Sequence, residues 1–383
     1  MDQQLVAEMT GWRREFHRRP ELGFELPRTA ARVAELLESF GLEVHRGIGQ
    51  SGVVGVLQKG NGPGAIGIRA DMDALPVTEA DGRAHGSQTP GRMHACGHDG
   101  HMAMALGAAK HLAQNGRFSG RAVFVFQPDE EHGQGAQAMI ADGLFDRFPV
   151  DAVFAIHNLP GMETGSVATR AGPITASEAL FEIEIAARGG HAAMPHMGVD
   201  AITVGAEIVG ALQTIVARKL DPAQNGVVSV TGFETNGARN ILPGHARLSG
   251  DARALTPAVN DRIEAAMRRI VAGFCAAHEV EATLRYETIF PPTINDAGAV
   301  DRAARAARGV AGTVDAACAP KLFSEDFAHM AAAVPAAYLL LGNGTGGGHA
   351  RPLHAPDYDF NDAALETGAA LWAALVEQEL APG

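Results

Sequence analysis

Two periodicities of apolar residues run through this sequence, and the switch between them divides it. Residues 2–18 and 28–40 read as amphipathic helices, separated by the breaker segment RRPELGFELP. From 52 to 75, GVVGVLQ and AIGIRADMDAL are strand-like and joined by KGNGPG, a turn of hairpin type. MAMALGAAKHLAQNG (102–116) predicts a helix ending at Gly116, with Asp99 or Gly100 near its start. RAVFVFQPDEE is a continuous apolar strand that stops at acidic residues, and the small-residue helix GAQAMIADGLF follows. DAVFAIHNLP repeats the plan as a buried strand ending at His157 and Asn158. Such alternation predicts an α/β sheet covered by helices on both faces.

Near residue 178 the period changes. ALFEIEIAARGG alternates with period two, as a half-exposed strand does, and AITVGAEIVGALQTIVARK is a long helix. GVVSVTGFET and GHARLSGDARAL are strands, 261–278 is a helix and VEATLRYET a further strand. That order is the order of a ferredoxin-like α+β sandwich. PPTINDA (291–297) reads as a re-entry linker, after which the Ala-rich 298–334, the strand AAYLLLGNG and a helix over 361–380 complete the first domain. The expected domains are therefore 1–177 with 291–383, and an inserted 178–290.

A chain of 383 residues has ample length to bury two cores, and 46% hydrophobic with 20% charged residues describes an ordinary soluble protein. The formal charge of −13 argues against a nucleic-acid partner, which requires clustered Lys and Arg. No uncharged apolar run approaches membrane-spanning length and no signal-like segment opens the chain, so the expected compartment is the cytoplasm, with no membrane partner. Cys96, Cys275 and Cys318 are odd in number and widely spaced, which argues against a disulfide framework.

Chemistry concentrates where strands end. AIGIRADMD ends in Asp71 and Asp73, AVFVFQPDEE in Asp129, Glu130 and Glu131, and DAVFAIHN in His157, while AYLLLGNG leads on to His349 and His354. The carboxyl ends of strands are where open α/β sheets bind ligands. To these GRMHACGHDGH (91–101) adds Cys96 and His98, two apart and so on one side of an extended loop, between glycines that let the backbone fold around a small charged object. Thiolate, imidazole and carboxylate together suit Zn, Mn, Co or Ni better than Ca or Mg. In the Glu130–Glu131 pair one carboxylate can ligate while its neighbour takes a proton from water. Asp99 reads equally well as a helix cap. His94, His101, His132 and His349 fit supporting or surface roles, and Cys275 and Cys318 fit core packing.

These residues resemble the dinuclear-metal aminoacylase/carboxypeptidase family, in its hippurate hydrolase and auxin-conjugate (indole-acetyl-amino acid) hydrolase branch. The resemblance runs nearly end to end, through HRRPELGFE, IRADMDALPV, MHACGHDGHMAMALGAA, FQPDEEHGQGAQAMI, IHNLPGMETG, RGGHAAMPHMGVDAI, RNILPGHARLSGDAR, SEDFAHM and PLHAPDYDFND. It implies a zinc-exopeptidase-like catalytic domain with a central mixed sheet, and an inserted ferredoxin-like lid and dimerisation domain. It implies two divalent metal ions (Mn, Zn, Co or Ni) held by Cys96, His98, Glu131, His157 and His354, with Cys96 bridging them. Glu130 would be the general base and Asp73 the aspartate that orients a ligand imidazole, that of His98. His191 would stabilise the oxyanion, and Asn240 and Arg253 would hold the substrate carboxylate. Where the branch commonly has glycines after the double Glu, this chain has His132 and Gln134.

The implied activity is hydrolysis of N-acyl-amino acids by a homodimer or dimer-based homotetramer, the alternative being a deacetylase or dipeptidase of the same family. A metal-storage protein is disfavoured by Glu130 beside Glu131, and a thiol-redox enzyme by the lack of a resolving cysteine partner.

Overall fold

The computed structural model describes residues 1–80 and 82–382. The chain forms two compact units: Met1–Ile174 with Thr293–Ala319 and Asp326–Gly383, and Thr175–Pro292 with Pro320–Glu325. Among the described residues no helix is long and apolar enough to cross a membrane.

The first unit is built on an eight-stranded mixed sheet. Its early strands are β1 (Glu43–Ile48), β2 (Gly52–Lys59), β3 (Ala65–Asp71), β4 (Gly120–Gln127), β5 (Ala152–Pro160) and β6 (Val167–Ala168). The spatial order is β1-β2-β4-β3-β5, then Ala336–Gly344, β6 and Val314–Asp315. This corrects one expectation: KGNGPG does not close a hairpin, because β4 inserts between β2 and β3. It pairs antiparallel with β2 and parallel with β3. The hairpin is β1–β2, formed one strand earlier than expected.

All seven residues of β3 are buried, as a central strand covered on both faces requires. Helix α1 (Gln3–Arg18) starts at Asp2, whose carboxylate accepts from the Leu5 amide at 2.7 Å, and buries Leu5, Met9, Trp12 and Phe16. Helix α2 (Pro27–Ser39) follows, with Pro at its first turn. Helix α3 (His98–Asn115) begins four residues before its expected start. Gly97 makes that start possible at φ +95°, and a Cβ there would come within 2.2 Å of Asn158 Oδ1.

In the second unit four antiparallel strands run in the order Gly226–Thr235, His245–Ala254, Ser177–Ala186, Glu281–Phe290. Taken in chain order this is 2-3-1-4, the ferredoxin-like arrangement. Phe181, Ile183 and Ile185 alternate between two residues directed away from the core and meet Val204, Ile208, Ile263 and Met267 of the two long helices.

Candidate metal centre

β3, β4, β5 and Ala336–Gly344 are parallel neighbours, so their carboxyl ends lie along one edge of the sheet. Each end delivers part of the site. Asp73 follows β3, Glu130 and Glu131 follow β4, and His157 stands within β5. His354 lies beyond Ala336–Gly344, and its amide donates to the Ala95 carbonyl at 2.8 Å, which fastens it to the Cys96 loop. That loop is held in turn by paired main-chain bonds between Leu75 and Met93, 3.0 Å each.

Donor atoms of Cys96, His98 and His157 all lie within 4.8 Å of one another, as do those of Cys96, Glu131 and His354. The two triads share Cys96. His98, Glu130 and Glu131 form a further such group. Cys96 Sγ is 3.3 Å from His157 Nε2, and Glu131 Oε2 is 3.6 Å from His354 Nε2.

The ring orientations are set from behind. His98 donates through Nδ1 to the Asp73 carbonyl at 2.8 Å, and His157 through Nδ1 to the Asn158 carbonyl at 2.7 Å. Each ring thereby turns its Nε2 towards the cluster, in the tautomer a metal ligand needs. Burial, followed by the charges of His101 and His98, depresses the pKa of His157 well below the ordinary value and keeps it neutral. Burial raises the Glu131 carboxyl to about 7, with Asp73 and Asp71 adding to the rise against the His98 charge. Among the described residues, His98 Nε2 and Glu131 Oε1 are buried without a hydrogen-bond partner. Two buried polar atoms without a partner, beside a thiol and a crowd of carboxylates, fit a divalent cation, whose charge would reverse that local balance.

Residues 67–378 match the profile of peptidase family M20/M25/M40. The chain belongs to that family. It is 39% identical to a hippurate hydrolase of Campylobacter jejuni, over 97% of this chain and 96% of that protein. It is 34% identical to the IAA-amino acid hydrolase ILR1-like 4 of Arabidopsis thaliana, over 97% and 86% respectively. A crystal structure of the Bacillus subtilis YXEP protein, described as a dinuclear metal-binding peptidase of the M20 family, superposes with a TM-score of 0.85 at 29% identity and 99% coverage of both chains.

Seen as an M20-family centre, the site differs from the sequence reading at Asp73. The main-chain oxygen of Asp73, rather than its carboxylate, takes the His98 hydrogen bond, with Asp73 Oδ1 at 3.6 Å from that nitrogen. The carboxylate instead accepts from the amides of Glu130 and Glu131, 3.1 Å each. Asp99 is not the cap of α3, which is Gly97; its carboxylate accepts from His17 at 2.8 Å.

His191, Asn240 and Arg253 belong to the second unit. His191 is exposed on a short ribbon opposite Ile241, and the Asn240 carbonyl accepts from the Ala192 amide at 3.1 Å, which sets those two residues side by side. The Arg253 guanidinium lies 2.9 Å from Asp251, 3.2 Å from Glu178 and 3.0 Å from Ser324 Oγ.

The sequence reading gave no specific contacts to a group beneath His157. His101 donates through Nδ1 to Asp71 at 2.6 Å, and its Nε2 lies 2.8 Å from Asn158 Oδ1. Asp71 also accepts from Arg69 at 2.7 Å. The signals were present, since His98 and His101 share a helical face and Arg69 and Asp71 share a strand face. His132, exposed, donates to Asp129 at 2.6 Å.

Proposed function

We propose that this chain hydrolyses the amide bond of N-acyl-amino acids, releasing a carboxylic acid and a free amino acid. The observation that carries the reading is the pair of donor triads sharing Cys96, with Glu130 beside them. The hippurate and IAA-amino acid hydrolases among its relatives support the substrate class.

Two divalent ions of the Mn, Zn, Co or Ni type would be held by Cys96, His98, Glu131, His157 and His354, with the Cys96 thiolate common to both. When bound, the ions supply the positive charge that acidifies a water molecule and polarises the scissile carbonyl. Glu130, almost fully buried and carried on an amide held by Asp73, removes the proton from the attacking water. The same carboxyl then returns it to the leaving amine. His98 and His157 keep their orientation because their Nδ1 protons are committed to main-chain oxygens.

The second unit acts as lid and dimerisation domain in this reading. His191 meets the tetrahedral oxyanion, and Asn240 and Arg253 take the substrate carboxylate. The active form is a homodimer or a dimer of dimers. The odd number and wide spacing of Cys96, Cys275 and Cys318 fit a reducing, cytoplasmic setting.

The test is Glu130→Gln, assayed on hippurate and a panel of N-acetyl and indole-acetyl amino acids and dipeptides with each metal added back. The variant is expected to keep its metal content and lose at least about a hundredfold in kcat. Turnover near the parental rate would remove Glu130 as the base, and a parent active only on dipeptides would replace the substrate class.

A further inference from the structure

Residues 17–23, from the end of α1 into its connection to α2, touch the start of α3, the turn after β3 and the turn after β4. His17 ends this contact chain on one side. It is fully buried, donating through Nδ1 to Asp99 at 2.8 Å and through Nε2 to Glu79 at 3.2 Å. Asp99 directly follows His98 on α3. Further along, the Glu21 carbonyl accepts from the Ala74 amide at 2.8 Å, and Leu22 bridges to Ala74, the residue after Asp73. Gly23 then lies against the turn after β4. Its φ is +56°, and a Cβ there would stand 2.9 Å from Asp129 Oδ1. Asp129 itself holds φ +50° and directly precedes Glu130.

The segment is pinned at both ends. His17 belongs to the last turn of α1, and the Glu21 carboxylate accepts from the Arg28 and Thr29 amides at 3.0 and 2.8 Å, closing the first turn of α2. The sheet fixes where β3 and β4 stop, and the Met72 amide, one residue past β3, still donates to the Gln127 carbonyl at 2.8 Å. Asp73 ties the two turns together through the Glu130 and Glu131 amides. The segment 17–23 supplies the rigid surface against which the Asp99, Ala74 and Asp129 positions are all set.

The geometry points to residues 17–23 as a positioning brace that sets the distance between the Cys96–His98 loop and the Glu130–Glu131 turn, with His17 and Gly23 as its positioning residues. The inference rests on the metal-hydrolase reading above. Mere core packing would predict something different: substitutions would lower the melting temperature of the metal-free protein and leave metal affinity and kcat of the folded enzyme unchanged.

The experiment uses the full chain. Metal affinity is read by competition of Zn or Mn against a chromogenic chelator, kcat and KM are read on hippurate, and thermal melts are taken on the metal-free form. Gly23→Ala is expected to weaken the metal about tenfold and lower kcat about tenfold to a hundredfold, with KM changing little. Asp129→Gly suits its own positive φ and removes the carboxylate that the new methyl group meets, so the Gly23→Ala/Asp129→Gly pair is expected to recover the part of the loss that comes from that contact, the strain of alanine at φ +56° remaining. His17→Gln, which tests the other end and covers the case of an unfolded Gly23→Ala, is expected to weaken the metal to a similar degree. Parental affinity and kcat in the folded single variants overturn the brace, as does a double variant whose loss is the product of the two singles. The chelator competition reads the brace even if the parent fails to hydrolyse hippurate, an outcome that would count against the proposed function alone.

Discussion

The Asp73 carboxylate spans from the end of β3 to the turn after β4, where Oδ1 accepts from the Glu130 amide at 3.1 Å. Its second oxygen takes the Glu131 amide at the same distance, so one fully buried carboxylate holds the backbone of both the proposed base and a proposed ligand. Asp73→Ala leaves both amides without that acceptor, at a cost of about 1–3 kcal/mol for each one left buried and unpaired. Urea unfolding of the metal-free variant is expected to show that loss, together with a kcat lower by about tenfold or more. Asp73→Asn, which keeps one acceptor oxygen, is expected to fall between the two.

Because both donor triads include Cys96, its removal takes a proposed ligand from each. Cys96→Ala is expected to lose metal measured by elemental analysis after dialysis, and activity in parallel. Chelation of the parent is expected to abolish turnover and lower the melting temperature, because the metal binds only the folded state, and re-addition restores both. Full metal content in Cys96→Ala would end its assignment as the shared ligand.

His17 gives a pH dependence with a definite sign. Burial disfavours its charged form, but Asp99 and then Glu79 outweigh that and raise its pKa to about 9. A pKa raised on folding stabilises fully below the ordinary histidine value, and that contribution disappears as pH rises through 9. Metal-free parent and His17→Gln are therefore expected to differ by about 3 kcal/mol near pH 6 and to converge above pH 9. A gap that stays constant over this range would place the His17 contribution in packing rather than charge.

Arg253 is flanked by Glu178 and Asp251, which leaves its guanidinium oriented rather than mobile. Arg253→Ala is expected to raise KM about tenfold for substrates with a free carboxylate and to leave the corresponding amides unaffected. An equal change for both substrate types would remove Arg253 as the carboxylate partner.

Much of the catalytic edge could be read without coordinates. Apolar runs such as AVFVFQ and DAVFAI are interrupted where polar ligand-type residues begin, because a buried strand cannot carry them further. In the second unit the chain order strand–helix–strand–strand–helix–strand was legible, and the four strands form one antiparallel sheet. The early part of the first sheet did not follow. KGNGPG has the composition of a hairpin turn, yet β4, some fifty residues on, takes the place between β2 and β3. Turn chemistry is local, and strand order is decided by which distant edge buries the most apolar surface.

The amino-acid order alone determined which chemical groups this protein brings to its sheet edge, since Cys96, His98, Glu130, Glu131, His157 and His354 stand where apolar strands give way to polar turns and loops. Folding in three dimensions decided how those groups are aimed. The Asp73 carbonyl behind His98, the Asp73 carboxylate on two amides and His17 beneath Asp99 are contacts between segments far apart in sequence. Hydrogen bonds act over about 3 Å, so such partners are known only once the backbone has placed them.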